Sequence, residues 1–143
     1  MKEVKESFGE KDTFDLGFSM GLKAKAGQVY TLIGDLGVGK TLFTQGFAKG
    51  LGIDDVISSP TFTIVQVYES GRLPLYHFDV YRIGDAEEMY EVGFEEYVYG
   101  DGVSLIEWAD LIDEIIPAEH IRVEIEKDPE RGFDYRRITV SEA

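Results

Sequence analysis

The chain has 143 residues and a mass of 16.1 kDa, enough to bury one core and too little to suggest two, so one domain over residues 1–143 is expected. Cysteine is absent, which excludes a disulfide framework and thiolate metal sites, and no apolar run reaches membrane-spanning length or resembles a secretion signal, so a cytoplasmic protein without a membrane role is expected. Of the net charge of −14, almost none falls in residues 1–50, with 7 Lys or Arg against 6 Asp or Glu, while the remainder holds 7 against 22. No Lys or Arg lies between Arg82 and Arg122, so the second half cannot neutralise the phosphates of a nucleic acid, and any contact with RNA is expected to be indirect.

In chain order, Asp12 or Thr13 can cap a helix in which Phe14, Phe18 and Leu22 recur every fourth residue, with Gly27 beyond its end. Residues 29–33, VYTLI, form the nearly unbroken apolar run of a strand buried on both faces. A helix over 41–51 follows, then a strand over 62–68, a turn at ESGR and an antiparallel partner over 75–78. Asp85 and Glu88 mark a helix start in the acidic stretch, 103–106 reads as a buried strand, and 108–116 as a short helix stopped by Pro117. Ile121, Val123 and Ile125 alternate with charged residues, and KDPERGFD turns the chain into 135–140, a second hairpin with one wet face. These elements predict an α/β sandwich whose mixed sheet is parallel at its centre and antiparallel at its edges.

Between the strand 29–33 and the helix after it stands GDLGVGKT, Gly34 to Thr41, a full match to the phosphate-binding loop G-x-x-x-x-G-K-[ST]. The spacing serves the chemistry. Backbone N–H groups of Asp35, Leu36, Gly37, Val38 and Gly39 can turn inward on phosphates, the helix N-terminus adds partial positive charge, Lys40 reaches the β- and γ-phosphates, and the Thr41 hydroxyl ligates Mg²⁺. Hydrolysis also needs a carboxylate that organises the metal, at the end of a neighbouring strand. Glu107 ends VSLI and Asp79 ends LYHF; if both strands run parallel to 29–33, both acids reach the edge that carries the loop, the alternative for each being a helix-capping acid. Hairpin geometry brings Ser58 to Thr61 to the same edge, where a Thr61 hydroxyl can sense the γ-phosphate.

The chain lacks [NT]-K-x-D, has no Asn and has no Asp with Gly three positions on, which argues against a small GTPase and leaves ATP as the nucleotide. A kinase for small metabolites uses the same loop but adds arginines that clamp phosphates, and the middle of the chain offers only Arg72 and Arg82. A nucleotide-binding module without turnover is a third reading. Taken alone, His77 reads as a hydrogen-bonded strand residue, and His120 is given no function. Tyr90, Phe94 and Tyr97 among glutamates suggest either an acidic, aromatic surface for a partner or a plain solvated face.

GDLGVGKT, SSPTFTIVQVY, LYHFDVYRI and LIEWAD, in this order and spacing, resemble the TsaE family of small bacterial ATPases of tRNA threonylcarbamoyladenosine biosynthesis, over roughly residues 13–126. The resemblance implies a P-loop fold, an ATP·Mg²⁺ site with ADP as product, weak turnover in isolation, and partnership with the TsaD and TsaB proteins, whose complex the ATP cycle resets. By position it gives Lys40 and Thr41 the phosphate and Mg²⁺ roles, Glu107 the metal-organising acid, Trp108 a place beside the nucleotide and Thr61 the γ-phosphate sensor. It sets Asp79, His77 and Arg82 together in the H-x-D-x-Y-R block, with Arg82 or a partner as the source of any arginine finger.

Overall fold

The computed structural model describes residues 2–35, 37–58, 64–81 and 83–142. Among them seven strands form one sheet in the order β1-β7-β6-β2-β5-β4-β3. β1 is Lys2–Ser7, β2 Val29–Ile33, β3 Val65–Tyr68, β4 Leu75–Asp79, β5 Val103–Glu107, β6 Ile121–Lys127 and β7 Arg136–Glu142. The four central strands β6, β2, β5 and β4 run parallel, while β3 at one edge and β7 and β1 at the other are antiparallel to their neighbours, as predicted.

Alternation along the central strands divides their side chains between two apolar layers. Tyr30, Leu32, Leu105 and Leu75 point to the face covered by α1 (Glu10–Lys23) and α2 (Lys40–Gly50), where Phe43 and Phe47 fill the interior. Val29, Ile106 and Phe78 point the other way, against α3 (Glu88–Glu91), α4 (Phe94–Val98) and a 3-10 helix at Ala109–Ile115. A fully buried Phe contributes roughly 1.5–3 kcal/mol through removal from water, so Phe43, Phe47, Phe78 and Phe94 anchor the two layers.

Several elements differ from the sequence reading. α1 starts before Asp12, whose carboxylate reaches back to accept the Phe8 N–H at 2.9 Å, and Thr13 is buried against the Ser7 hydroxyl at 2.7 Å instead of capping. The stripe that α1 buries is Thr13, Gly17 and Gly21, and Leu22 of the predicted apolar stripe is 55% exposed. Glycine on both helices permits this: a Cβ on Gly21 would stand 2.1 Å from the Phe47 carbonyl oxygen, and one on Gly46 2.1 Å from that of Phe14. Counting apolar side chains cannot find a face made by their absence. Strand β1 also goes unpredicted, because KEVKES is charged and exposed; on an edge strand those lysines and glutamates discourage pairing with other chains.

Phe94 belongs to the core and Tyr97 packs on Tyr76 and Phe78, at 4.9 and 5.8 Å between ring centroids, so the expected aromatic surface retains only Tyr90 of the three as exposed. The helix expected over 108–116 is a 3-10 helix kinked at Ile112. Residues 62 and 63 of the expected strand lie outside the described residues.

Candidate active site

The loop after β2 turns through two residues with positive φ, Gly37 at 76° and Gly39 at 113°, a region that side chains with a Cβ avoid. Gly39 then leads into α2, whose first residue is Lys40, so the free N–H groups of the first helical turn face the loop. Val38 buries its side chain in the core, leaving its backbone to line the cleft. Lys40 is itself buried, donating from Nζ to the Gly34 carbonyl at 2.6 Å while standing 3.5 Å from the centroid of the Trp108 ring. Burial pulls its ammonium below the ordinary lysine range, against the opposing attraction of Glu107, Asp79, Asp110 and Asp35. A desolvated cation held at a helix N-terminus is a site made for an anion.

Both candidate carboxylates come to this edge because β4 and β5 are parallel to each other and β5 to β2. Asp79 and Glu107 are register partners, and Leu32 is the partner of Glu107 on its other side. Glu107 is the buried last residue of β5, and its Oε2 meets His77 Nε2 at 2.6 Å; the 3-10 helix that follows has Trp108 at its N-cap and no side-chain cap, against the helix-capping alternative. Asp79 closes a tight turn by accepting the Tyr81 N–H at 3.1 Å, a turn function that leaves the residue in the cleft wall. Burial raises its pKa above the ordinary carboxylate range, with the Tyr81 N–H pulling it down and Glu107 pushing it up. Lys40, Thr41, Asp79, Glu107 and Trp108 line one cleft of about 580 Å³.

The TsaE family, described as "Threonylcarbamoyl adenosine biosynthesis protein TsaE", matches residues 8–138. The chain belongs to the TsaE family. It is 53% identical over 116 residues to the tRNA threonylcarbamoyladenosine biosynthesis protein TsaE of Bacillus subtilis, covering 81% of this chain and 70% of that protein. The protein of the same name from Treponema pallidum is 43% identical over 115 residues, 80% of this chain and 84% of its own. The crystal structure of Bacillus subtilis YdiB superposes with a TM-score of 0.84 at 41% identity, covering 98% of this chain and 84% of that one.

Of the residues that the loop motif and the TsaE resemblance single out, the structure brings together Gly37, Val38, Gly39, Lys40, Thr41, Asp79, Glu107 and Trp108 around the cleft. Asp35 lies beside it, lining a second depression of about 300 Å³ with Trp108 and Asp110. Leu36, Thr61 and Arg82 lie outside the described residues. Trp108 holds a left-handed backbone conformation, φ 62°, and its ring lies 4.8 Å from that of Tyr81 at a tilt of 47°, so Tyr81 and Lys40 both pack against the tryptophan. Arg72 is not in the cleft: its guanidinium takes the carbonyls of Gly21, Leu22 and Ala24 at 2.7 to 2.9 Å and closes the end of α1.

Sequence reasoning missed several cleft residues in this TsaE chain, three of which bring polar side chains from separate elements. Thr13 enters from α1, Gln45 from the second turn of α2, and Arg136 from the start of β7, where its Nε donates to the Val38 carbonyl at 2.9 Å. A single arginine in an alternating edge strand carries no motif, and only the hairpin β6–β7 brings it back to the loop. The donors around Thr41, Asp79 and Glu107 are oxygen atoms, the set that a hard divalent ion such as Mg²⁺ takes. Among the described residues no group of three or more His, Asp or Glu could hold an ion.

Proposed function

We propose that this chain is the ATP-binding and ATP-hydrolysing subunit of tRNA threonylcarbamoyladenosine biosynthesis, acting in the cytoplasm, and that its ATP cycle resets a complex of the TsaB and TsaD proteins between turnovers. One observation carries the catalytic half of this reading: Lys40, Thr41, Asp79 and Glu107 line a single cleft at the carboxyl ends of the parallel strands. The names of the relatives carry the pathway.

In this reading the backbone N–H groups of residues 35–39 cradle the phosphates, and Lys40 leaves the Gly34 carbonyl to neutralise the β- and γ-phosphates. The Thr41 hydroxyl and the Glu107 carboxylate would hold Mg²⁺, which would supply neutralisation of phosphate charge. In this reading Asp79, in the cleft wall, orients water toward the γ-phosphate, and Thr61 is the γ-phosphate sensor by its motif position. The products are ADP and phosphate. Arg72 is spent on α1, so the described residues give a kinase no pair of clamping arginines. The acidic second half favours contact with tRNA only through the partners.

The test is the ATP hydrolysis rate with Mg²⁺, measured for the protein alone and then with TsaB, TsaD and unmodified tRNA. Stimulation by the partners that disappears in Lys40→Ala is expected. A rate indifferent to them would overturn the coupling role and direct the search to small phosphate acceptors.

A further inference from the structure

The buried pair His77 and Glu107 has a polarity that packing alone does not explain. The two side chains are 1% and 3% exposed, and His77 Nε2 lies 2.6 Å from Glu107 Oε2. The other ring nitrogen, Nδ1, is buried with no hydrogen-bond partner among the described residues. His77 faces Leu105 in the β4–β5 register and shares its strand face with buried Leu75, so an apolar side chain would suit the layer but would leave the buried Glu107 carboxylate without its partner. One nitrogen is therefore left unsatisfied so that the other can reach the carboxylate.

We propose that His77 is a positioning residue for the metal-organising acid: its Nε2–H holds Glu107 Oε2 and thereby presents the remaining oxygen, Oε1, to the cleft. The inference rests on the reading of Glu107 as the acid that organises Mg²⁺. Sheet register sets the geometry. Glu107 stands opposite Asp79 on β4, and His77, two residues earlier on the same face of that strand, is its diagonal neighbour within side-chain reach. Among the described residues no hydrogen bond engages Oε1, while the Glu107 residue lines the cleft. An ionised carboxylate accepts from the tautomer that carries hydrogen at Nε2. A carboxylate with one oxygen tied has one orientation to offer, and loss of such supporting bonds at metal sites typically costs about 10–100-fold in metal affinity.

The experiment follows binding of a fluorescent ATP analogue, first in EDTA and then across a Mg²⁺ titration, for the wild type, His77→Leu, His77→Asn and His77→Gln. Gln places an amide N–H near the position of Nε2, whereas Asn ends near Nδ1 and cannot reach Glu107. Expected is metal-free nucleotide binding within about 2-fold of wild type in every variant. The half-saturating Mg²⁺ concentration should rise about 10-fold or more in His77→Leu and His77→Asn and return most of the way in His77→Gln. Should His77→Leu fail to fold, the contrast between Asn and Gln decides alone. Equal Mg²⁺ dependence in the Asn and Gln variants would overturn the positioning role. Lys40→Ala and Glu107→Gln run in parallel separate the two levels: if Glu107→Gln leaves the Mg²⁺ response intact, the reading of the site fails; if it abolishes the response and His77→Asn does not alter it, only the role of His77 fails.

Discussion

Asp79 and Glu107 face each other across neighbouring parallel strands, register partners whose carboxylates share one cleft wall. Like charges so placed repel, and this fold tolerates them by giving each its own counterweight: His77 for Glu107, the Tyr81 N–H for Asp79, and the Lys40 ammonium for both.

Asp79→Asn is expected to stabilise the free protein at neutral pH. The folded-state pKa of Asp79 is raised above its unfolded value of 3.8, chiefly by burial. An acid of this kind favours folding below that value, and the contribution is lost as pH rises through the higher folded-state pKa. Asn keeps an oxygen for the Tyr81 N–H but carries no charge. Thermal melts should therefore show a higher Tm for the variant at pH 7, with the gap closing as the pH drops below about 4. A gap that widens in acid would contradict the sign.

Lys40→Ala and Glu107→Gln should divide binding from hydrolysis. Loss of the lysine removes a charged hydrogen bond to phosphate, worth about 1.5–3 kcal/mol, and should weaken nucleotide binding about 10- to 100-fold. Gln at 107 can still accept from His77 but offers the ion no charge, so nucleotide binding should survive. Metal-dependent hydrolysis with the partners should fall about 100-fold. Undiminished turnover in Glu107→Gln would hand the role to Asp79.

Trp108 is the sole tryptophan, and Lys40 rests over its ring. When phosphate draws the ammonium away, the ring loses that cation, so tryptophan emission should change on adding ATP with Mg²⁺ and stay constant in Lys40→Ala. Emission that ignores saturating nucleotide would place the ring outside the reach of the bound phosphates.

Gly46→Ala should destabilise the fold without any part in the chemistry. Its Cβ would stand 2.1 Å from the Phe14 carbonyl oxygen, forcing α1 and α2 apart. Urea unfolding should show a loss of about 1–3 kcal/mol, and a neutral outcome would mean that the helices separate freely.

The strongly local features were legible before any coordinates. GDLGVGKT between a β-rich run and a helix announced the loop, and VYTLI and VSLI announced strands buried on both faces, because a parallel central strand has no wet side. Glu107 and Asp79 were legible as strand-terminal acids, with their alternative as caps still open. What pattern could not supply was contact between distant segments. Charged KEVKES becomes a strand only because β7 offers it an edge, and the face of α1 that packs is the one with the fewest side chains. Residue type and spacing determined which groups could serve a phosphate and an ion. Tertiary structure alone decided that His77 meets Glu107, that Lys40 lies on Trp108 and that Arg136 returns to Val38. Each of those contacts joins segments far apart in the chain that the sheet order brings to one edge, and sheet order is fixed by the packing of two whole layers, information that no short stretch of sequence contains.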